Sequence, residues 1–465
     1  MSRERSVNMG FFKAYDMRGT FGVDFDLDTV YRIGLALPRV VTPGLPHPRW
    51  LVGRDCRETS CDVRDALVRG LVEAGAEVTD LGLCTTPMVY FFTAEDDYDG
   101  SVMVTASHNP PTDNGLKVSR RTALPVGYAD GLDEVERIVK AGSSVAAAEP
   151  GGVRNAGAES LSRYIAWQRR HAAIDASAGL RYAVDCSNGM SSILVRELFP
   201  GAVVINDTLD GRFPCHSPNP LKSDAREQLA SVVRENGLDC GIIFDGDADR
   251  AMFVDERGEF VQPDILIPAV ASATLRAAGG AKGRPKIIHD VRTSRGAIET
   301  LREMGCEPVM VPVGHAFAKP ILRKVGAVCG GELAGHYYFS EFFGCDSGVL
   351  AALRVLSEFA AAKASGQTFS DMAFAVSGRY ANSGEMNFRV EDKDAAIARV
   401  MECAKERLPE EVSRSDMDGV RMEYAEGWVN IRKSNTEPYL RLIAECDTKE
   451  RLAEWTSLLS SAITG

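Results

Sequence analysis

Residues 50–81 read WLVGRDCRETSCDVRDALVRGLVEAGAEVTDL. An apolar run, Trp50–Asp55, comes first, and Asp62–Ala74 then carries apolar residues at helical spacing before a second apolar run, Glu77–Leu81. Short apolar runs that alternate with amphipathic segments are typical of β-α-β units. The stretch therefore predicts an α/β fold.

The same alternation returns twice further along the chain, and the last hundred residues show a different order of elements. The repeats lie at Arg181–Asp185, Arg226–Asn236 and Cys240–Phe244, and at Lys286–Asp290, Ser294–Met304 and Pro308–Val313. The final part has helix-like Lys393–Leu408 and Lys449–Ile463 around strand-like Val420–Tyr424, Trp428–Ile431 and Tyr439–Cys446. Three α/β units followed by one α+β unit are predicted.

The length of 465 residues also favours several domains, because a single core stops growing at about 250–300 residues. Ala141–Ser160 is rich in Ala, Gly and Ser and predicts a linker. A second boundary is expected at the turn-forming Asp255–Gly258, and a hinge at Ala375–Gly384. The predicted domains are residues 1–150, 151–258, 259–374 and 375–465.

The composition is that of an ordinary globular protein, with 45% hydrophobic and 25% charged residues. A formal net charge of −12 disfavours nucleic acid and anionic membranes as partners. The eleven cysteines show no C-x-x-C spacing, which favours reduced thiols. Without an apolar N-terminal region or a run of about 18 uncharged apolar residues, the expected location is the cytoplasm.

The first candidate site is a loop, Thr105–Pro111, that follows the apolar run Val102–Val104. Strand ends in α/β sheets are favoured ligand sites. Ser107 stands beside His108, but adjacent side chains diverge in most backbone conformations, and the G-x-S-x-G elbow is absent. Taken alone, the loop is equally consistent with a proline-terminated turn.

The second candidate site follows Cys240–Phe244 and places Asp245, Asp247 and Asp249 at alternate positions, with Arg250 next. Three carboxylates suit a hard cation that prefers oxygen ligands. An EF-hand is disfavoured because Arg250 occupies the sixth position, where that loop needs glycine. A haloacid-dehalogenase-like site with Asp245 as nucleophile stays open as an alternative.

Two further loops carry polar residues. Arg432–Pro438, followed by Arg441, offers guanidinium, hydroxyl and backbone N–H groups of the kind that bind phosphate. In Gly331–His336, the side chains of Glu332 and His336 are suited to bonding sugar hydroxyls or moving protons. Either loop alone is also consistent with an ordinary turn.

Together, these four loops in this order resemble the α-D-phosphohexomutase family, and most closely its phosphomannomutase/phosphoglucomutase branch. The resemblance extends over nearly the whole chain. Further matching stretches are Phe12–Gly19, Gly53–Asp55, Thr86–Pro87, Asn114–Lys117, Asp210–Pro214, Asn219–Pro220 and Gly314–Phe317. The resemblance implies three α/β/α domains with mixed sheets and a C-terminal domain similar to TATA-box-binding protein, arranged around a central cleft.

The resemblance also implies reversible conversion of hexose 6-phosphate and hexose 1-phosphate through a 1,6-bisphosphate, which would serve as activator. Ser107 would carry the phosphoryl group and, with Asp245, Asp247 and Asp249, hold Mg²⁺. The expected partner is a small sugar phosphate, and the expected state is a monomer or weak homodimer. The implied catalytic residues are Ser107, Arg18, Lys117, Arg250 and His336, and the implied substrate-binding residues are Tyr15, Arg292, His315, Glu332, Ala334, Arg432, Ser434, Asn435, Thr436 and Arg441.

A charge count supports the same residues. Phosphoserine carries about −2, the three aspartates add three negative charges and Mg²⁺ returns two positive ones, which leaves about −3. Arg18, Lys117 and Arg250 would supply the missing positive charge. Lys117 and then His336 are the candidates for moving the hydroxyl proton, and a lysine in that role needs a lowered pKa.

Two departures from the family bear on the preferred hexose. Ala334 stands where the family usually has serine, and Arg292 stands where many members have lysine. Tyr337–Phe339 and Gly344–Gly348 are closer to phosphomannomutases than to phosphoglucosamine mutases, so mannose is favoured, with glucose also expected. A phosphoglucosamine mutase, a sugar phosphatase that uses Asp245 and a non-catalytic sugar-phosphate-binding protein stay open as alternatives.

Overall fold

The computed structural model describes residues 10–143, 146–147, 149–171, 179–280, 283–434 and 439–465. Their strands form four sheets, of which the first three are mixed and flanked by helices and the fourth is antiparallel. The predicted multidomain α/β class is confirmed. Across the described ranges, no helix combines the length and apolar character needed to cross a membrane.

The first sheet has the order β1-β5-β4-β2-β3-β7, with β6 paired to β5. Trp50 and Val52 pack in one cluster of buried side chains and Leu51 in another, because successive side chains of a strand point to opposite faces. The strands are β1 Met17–Thr20, β2 Arg49–Arg54, β3 Glu77–Leu83, β4 Gly100–Val104, β5 Asp113–Arg120, β6 Leu124–Pro125 and β7 Val153–Asn155. The helices are α1 Leu27–Val41, α2 Ser60–Glu73, α3 Thr86–Glu95, α4 Leu132–Lys140 and α5 Gly157–His171.

The predicted linker, Ala141–Ser160, is wrong in its second half. Val153–Asn155 pair in parallel with β3 as an edge strand of the first sheet, and α5 begins at Gly157. Gly151 lies so close to the backbone that an added Cβ would be 2.0 Å from the carbonyl oxygen of Ala76. Gly151, one of the small residues on which the linker prediction depended, instead allows the chain to approach the sheet.

The second sheet has the order β12-β11-β10-β8-β9, and the third has the order β14-β13-β15-β16-β17. The second contains β8 Tyr182–Asp185, β9 Val203–Ile205, β10 Cys240–Phe244, β11 Ala251–Asp255 and β12 Phe260–Val261, with α6 Val195–Leu198 and α7 Ser223–Asn236. The third contains β13 Lys286–Asp290, β14 Glu307–Val311, β15 Cys329–Gly331, β16 Tyr337–Phe339 and β17 Cys345–Asp346. Its helices are α8 Ile267–Ala277, α9 Arg295–Glu303, α10 His315–Val325, α11 Gly348–Ala364 and α12 Phe369–Ser377.

The fourth sheet has the order β18-β23-β22-β21-β20, with β19 also paired to β23, and its core is separate from the one that runs through the first three units. Leu333, Trp428 and Ile443 form a small apolar contact between the third unit and this sheet. Its elements are β18 Ala381–Asn382, β19 Met386–Phe388, α13 Lys393–Arg407, β20 Glu411–Ser415, β21 Val420–Tyr424, β22 Gly427–Lys433, β23 Leu440–Cys446 and α14 Lys449–Thr464. The division of the chain at residues 150, 258 and 374 stays a prediction.

Candidate active site

Ser107 lies in the loop between β4 and β5 and is almost completely buried. Its φ of +51° is uncommon for a residue other than glycine. Its backbone N–H donates to Thr105 Oγ1 at 2.8 Å, which holds this conformation. Its Oγ lies 2.9 Å from Asp245 Oδ2 and 3.2 Å from His108 Nδ1. The loop therefore presents the serine hydroxyl to the aspartates of the second unit.

Arg57 holds the loop that contains Ser107 (the serine loop) through hydrogen bonds to its backbone. Its guanidinium is buried and pairs with Asp55 at 3.1 Å. It donates to the backbone carbonyl oxygens of Ser107, Asn109, Pro110 and Asp113 at 2.8, 2.7, 2.6 and 2.9 Å. Sequence reasoning missed Arg57, although it lies two residues after the quoted Gly53–Asp55, because the carbonyls that it holds are some fifty residues away.

We expect Arg57→Met to lower kcat about 10²-fold, because a misplacement of about 1 Å at the reacting atom costs that much in rate. The loss of four hydrogen bonds frees the backbone that sets the direction of Ser107 Oγ. The measurement is kcat together with the rate of phosphate incorporation into Ser107. KM should change far less than kcat.

Arg354→Met is the matched control, because Arg354 is equally buried but pairs with Glu341 in the third unit and not with the serine loop. Both variants should lose stability, but only Arg57→Met should lose phosphate incorporation. Equal losses of kcat in the two variants would contradict a positioning role for Arg57, and Arg57→Lys should recover part of the activity.

The three aspartates follow β10 and are buried, and ligand atoms from all three lie within 4.8 Å of one another. A Cβ on the intervening Gly246 would lie 2.6 Å from the carbonyl oxygen of Ser107, so glycine allows the two loops to approach. Thr86, the first residue of α3, donates its hydroxyl to Asp247 Oδ2 at 2.5 Å. The aspartate loop is thus held against the first unit.

The aspartates fit a hard divalent cation. Oδ1 of Asp247 and Oδ1 of Asp249 are buried and have no hydrogen-bond partner among the described residues. Burial, together with the charges of Asp249 and Asp247, raises the pKa of Asp245 well above its usual range. A cation with oxygen ligands, such as Mg²⁺, would relieve this repulsion and use the unbonded oxygens.

Lys117, on β5, completes the charge of this cluster. Its Nζ lies 2.6 Å from Oδ2 of both Asp247 and Asp249. Burial alone would lower the pKa of Lys117, but the charges of Asp247 and Asp249 outweigh it and raise the pKa above its usual value. The lowered pKa expected for a proton acceptor is therefore not found, and Lys117 contributes an ammonium charge.

Arg250 and Arg18 bring two more cations to the aspartates and the serine loop. Arg250 Nε lies 3.7 Å from Asp245 Oδ2 and donates to His336 Nε2 at 3.0 Å. Arg18 pairs with Asp16 at 2.7 Å and donates to the carbonyl oxygen of Ala106 at 3.3 Å. Arg18 thus contacts the serine loop, and Lys117 and Arg250 lie beside the aspartates, while the charge-balancing role of the three stays a prediction.

His336 is held by a buried ion-pair network. Its Nδ1 lies 2.8 Å from Asp346 Oδ2, and Asp346 Oδ1 lies 2.7 Å from Lys319 Nζ. Since Nε2 accepts from Arg250, Nδ1 is the ring nitrogen that carries a proton and faces Asp346. Sequence reasoning missed Asp346 and Lys319 as parts of the site, although Asp346 lies within the quoted Gly344–Gly348.

The loop Gly331–His336 buries the carboxylate of Glu332, and only part of its hydrogen-bonding capacity is used. Glu332 accepts hydrogen bonds from Tyr338 Oη at 2.5 Å and from the N–H of Gly314 at 3.2 Å. Burial raises the pKa of Glu332. Ala334, two residues on, is half-buried and carries no polar group. The carboxylate of Glu332 retains acceptor capacity for a sugar hydroxyl.

Aromatic side chains of the first and third units contact one another beside Glu332 and His336. The ring centroid of His315 lies 6.3 Å from that of Tyr15 and 5.9 Å from that of His336. Burial lowers the pKa of His315 well below its usual value. Phe317 packs edge-on against Tyr15 and is 44% exposed, and sequence reasoning missed it as a contact surface.

Two arginines of the predicted phosphate-binding loop, Arg432 and Arg441, meet Arg292 at one carboxylate, that of Glu385, and these three arginines are called the phosphate clamp below. Arg432 and Arg441 lie 3.0 and 2.8 Å from this carboxylate, and Arg292 lies 3.2 Å from it. The N–H of Ser434 donates to the carbonyl oxygen of Tyr439 at 2.9 Å. The predicted contacts Asn435 and Thr436 lie outside the described residues. Sequence reasoning missed Glu385.

Comparison with known families returns four domain models of one family. The phosphoglucomutase/phosphomannomutase alpha/beta/alpha domains I, II and III match residues 9–146, 162–258 and 262–380. The C-terminal domain of the same family matches residues 385–458. The matches follow one another in the family's domain order.

Individual relatives match along almost their whole length. The phosphohexose mutase of Xanthomonas campestris pv. campestris strain B100 is 36% identical over 459 residues, which is 98% of this chain and 99% of that protein. A phosphomannomutase of Escherichia coli K12 is 35% identical over 444 residues, 93% of this chain and 94% of that protein. A phosphoglucomutase/phosphomannomutase family structure from Burkholderia thailandensis has a TM-score of 0.82 and 26% identity, covering 98% of this chain and 97% of its own.

Proposed function

Because this chain belongs to the phosphoglucomutase/phosphomannomutase family and is a hexose-phosphate mutase, we propose that it interconverts mannose 6-phosphate and mannose 1-phosphate. Glucose phosphates are proposed as further substrates. The enzyme is an intramolecular phosphotransferase, and Ser107 is the proposed phosphoryl carrier. The observation that supports this role best is the approach of Ser107 Oγ to 2.9 Å from one of three buried aspartates.

In the proposed reaction, a free hydroxyl of the sugar monophosphate attacks the phosphorus on Ser107. The new bond joins phosphorus to the sugar oxygen, the bond between phosphorus and Ser107 Oγ breaks, and the hydroxyl proton leaves while the serine oxygen regains one. The product is a hexose 1,6-bisphosphate. After it turns in the cleft, its other phosphate returns to Ser107, which completes the isomerisation.

The residues of this chain stabilise that transfer by charge and position. Asp245, Asp247 and Asp249, with the phosphate on Ser107, would hold Mg²⁺, which supplies positive charge to the transferring group. Arg18, Lys117 and Arg250 would supply the remaining charge, since phosphoryl transfer depends mainly on positioning and electrostatic stabilisation. Lys117 and His336 stay the proposed groups for proton movement, and Lys117, as an ammonium, would donate the proton that the serine oxygen regains.

The rest of the cleft is proposed to bind the sugar phosphate in either orientation. Glu332 would bond the ring hydroxyls, and Tyr15 and His315 would line the cleft beside it. Ala334 would leave one hydrogen bond to the sugar unmade. The proposed contacts to the non-reacting phosphate are Arg292, Arg432, Ser434, Asn435, Thr436 and Arg441.

The test of substrate class compares kcat/KM for mannose, glucose and glucosamine phosphates on one preparation, with Mg²⁺ and a hexose 1,6-bisphosphate present. We expect mannose phosphates to give the highest value and glucose phosphates to follow. Glucosamine phosphate as the best substrate would contradict the proposal and favour a phosphoglucosamine mutase. Release of free phosphate in place of isomerisation would favour a sugar phosphatase, which the relatives do not favour.

Several finer expectations accompany the proposal and stay predictions. These are the activating role of the hexose 1,6-bisphosphate, the monomeric or weakly dimeric state and the cytoplasmic location. Omitting the bisphosphate from the assay tests the first of them, because an unphosphorylated Ser107 has no group to transfer.

A further inference from the structure

The carboxylate of Glu385 is the meeting point of three guanidinium groups. Its Oε1 lies 3.2 Å from Arg292 and 3.0 Å from Arg432, and its Oε2 lies 2.8 Å from Arg441. Arg292 comes from the third unit, whereas Arg432 and Arg441 come from β22 and β23 of the fourth sheet. A single side chain therefore connects the phosphate-binding arginines of two units.

Two of these guanidinium groups are so buried that their positive charge needs a negatively charged partner. The side chains of Arg292 and Arg432 are 4% and 3% exposed. Burial alone would raise the pKa of Glu385, but the charges of Arg292, Arg432 and Arg441 lower it to about 2, so the group is ionised at neutral pH. A buried guanidinium that loses its partner is strongly destabilising, so in this arrangement Glu385 stabilises the arginines.

The positive charges of the three arginines indicate which kind of ligand would replace the carboxylate of Glu385. Within 3.2 Å, the three guanidinium groups face Glu385 and also Asp290, which lies 2.6 Å from Arg292. Arg292 also lies 4.0 Å from Glu332, but Glu385 is the carboxylate that all three guanidinium groups share, and its departure removes one negative charge from them. A phosphate monoester carries about two negative charges at neutral pH and offers three acceptor oxygens that match guanidinium groups. A phosphate dianion thus matches the arginines better than the carboxylate does.

The clamp also has a donor that Glu385 does not use. Arg432 Nε is buried, and no hydrogen-bond partner for it exists among the described residues. Glu385 itself follows Gly384, whose φ of +65° marks a turn between β18 and β19. A side chain on such a turn is able to leave the arginines without unpairing either strand, since β18 and β19 each pair with β23.

We propose that Glu385 is an internal competitor of the substrate: its carboxylate occupies the phosphate clamp when no ligand is bound, and the non-reacting phosphate of the sugar displaces it. This inference rests on the proposed function, because it takes the clamp to bind sugar phosphate. Binding then exchanges one anion for another at the same arginines. Release becomes easier for the same reason, because the carboxylate returns as the phosphate departs.

Glu385→Gln tests the proposal, because glutamine keeps the shape and removes the charge. Calorimetry with inorganic phosphate and with mannose 6-phosphate should give dissociation constants about three- to tenfold lower than for the unaltered protein, as expected when a competing like charge is removed. KM for mannose 6-phosphate should fall in parallel, and kcat should fall too if product release limits turnover. An unchanged or higher dissociation constant would overturn the proposal and assign Glu385 to organising the arginines.

Two further variants keep the result interpretable. Glu423→Gln is the matched control, because Glu423 also bridges two arginines between the same units, Arg295 at 3.0 Å and Arg421 at 2.7 Å, but lies outside the clamp. It should leave phosphate affinity unchanged. Glu385→Asp keeps the charge but is too short to reach all three arginines, so it should bind phosphate with intermediate affinity, and it supplies the answer if the glutamine variant does not fold.

A double variant separates this proposal from the proposed function. In an Arg432→Met background, the effect of Glu385→Gln on phosphate affinity should shrink, because the two side chains act on the same ligand group. If the unaltered protein isomerises mannose phosphates but the Glu385→Gln variant binds phosphate more weakly, only the inference about Glu385 fails. If the unaltered protein binds neither phosphate nor sugar phosphate, both fail.

Discussion

Ser107→Ala is expected to lower mutase turnover about 10⁴-fold or more, because removal of a covalent carrier typically costs several orders of magnitude. The alanine has no oxygen to hold the phosphoryl group beside Asp245. The measurement is kcat with mannose 6-phosphate, together with protein-bound label after incubation with a hexose 1,6-bisphosphate that carries radioactive phosphate. The variant should carry no label.

Ser101→Ala provides the control for this experiment. Ser101 is also buried and lies on β4, the strand that leads into the serine loop, but it bonds Thr93 and not the aspartates. It should retain both turnover and label. Full activity of Ser107→Ala would remove Ser107 as the carrier, and label on Asp245 would favour the phosphatase alternative.

Asp247→Asn is expected to lower turnover about 10³-fold, in the range found when one preorganised electrostatic contact to a transition state is lost. Asp247 combines three tasks: it pairs with Lys117, it accepts from Thr86, and its unbonded Oδ1 is a proposed ligand of Mg²⁺. The variant should also need a higher Mg²⁺ concentration for half-maximal activity. Chelation of the metal in the unaltered enzyme should abolish turnover, and added Mg²⁺ should restore it.

Asp255→Asn is the corresponding control. Asp255 is buried in the same unit, on β11, but pairs with Arg257 away from the serine loop. Its loss should lower stability and leave the Mg²⁺ dependence unchanged. An Asp247→Asn variant with unaltered Mg²⁺ dependence would contradict the assignment of Asp247 as a ligand.

Much of the fold follows from local pattern. Cys240–Phe244 was predicted as a strand and is β10, and the run predicted as Trp50–Asp55 is β2, Arg49–Arg54. Cys240–Phe244 is apolar throughout, and Trp50–Gly53 form an apolar run inside β2. Such runs have few alternatives to a buried strand when amphipathic segments flank them. The edge strand β7 was missed because Val153–Asn155 are exposed and lack that pattern.

The candidate site also has a part that the sequence predicts and a part that it does not. The sequence by itself indicated which loops are proposed to carry the chemistry. Ser107, the three aspartates and the arginines of the clamp lie in short motifs whose residue types suit phosphate and a hard cation. The sequence also indicated that three positively charged side chains must balance the charge of phosphoserine, the three aspartates and Mg²⁺, because this charge count needs no coordinates. Family resemblance then supplied the roles that spacing alone left open.

Only the tertiary structure decided which groups hold those residues in place. Arg57 acts on carbonyls some fifty residues away, Asp346 meets His336 across a strand pair, and Glu385 joins arginines of two units. Each partnership depends on long-range approach and burial, and neither spacing nor residue type determines these. The tertiary structure also reversed the expected pKa direction of Lys117, because its value follows from two carboxylates 2.6 Å away and not from burial alone.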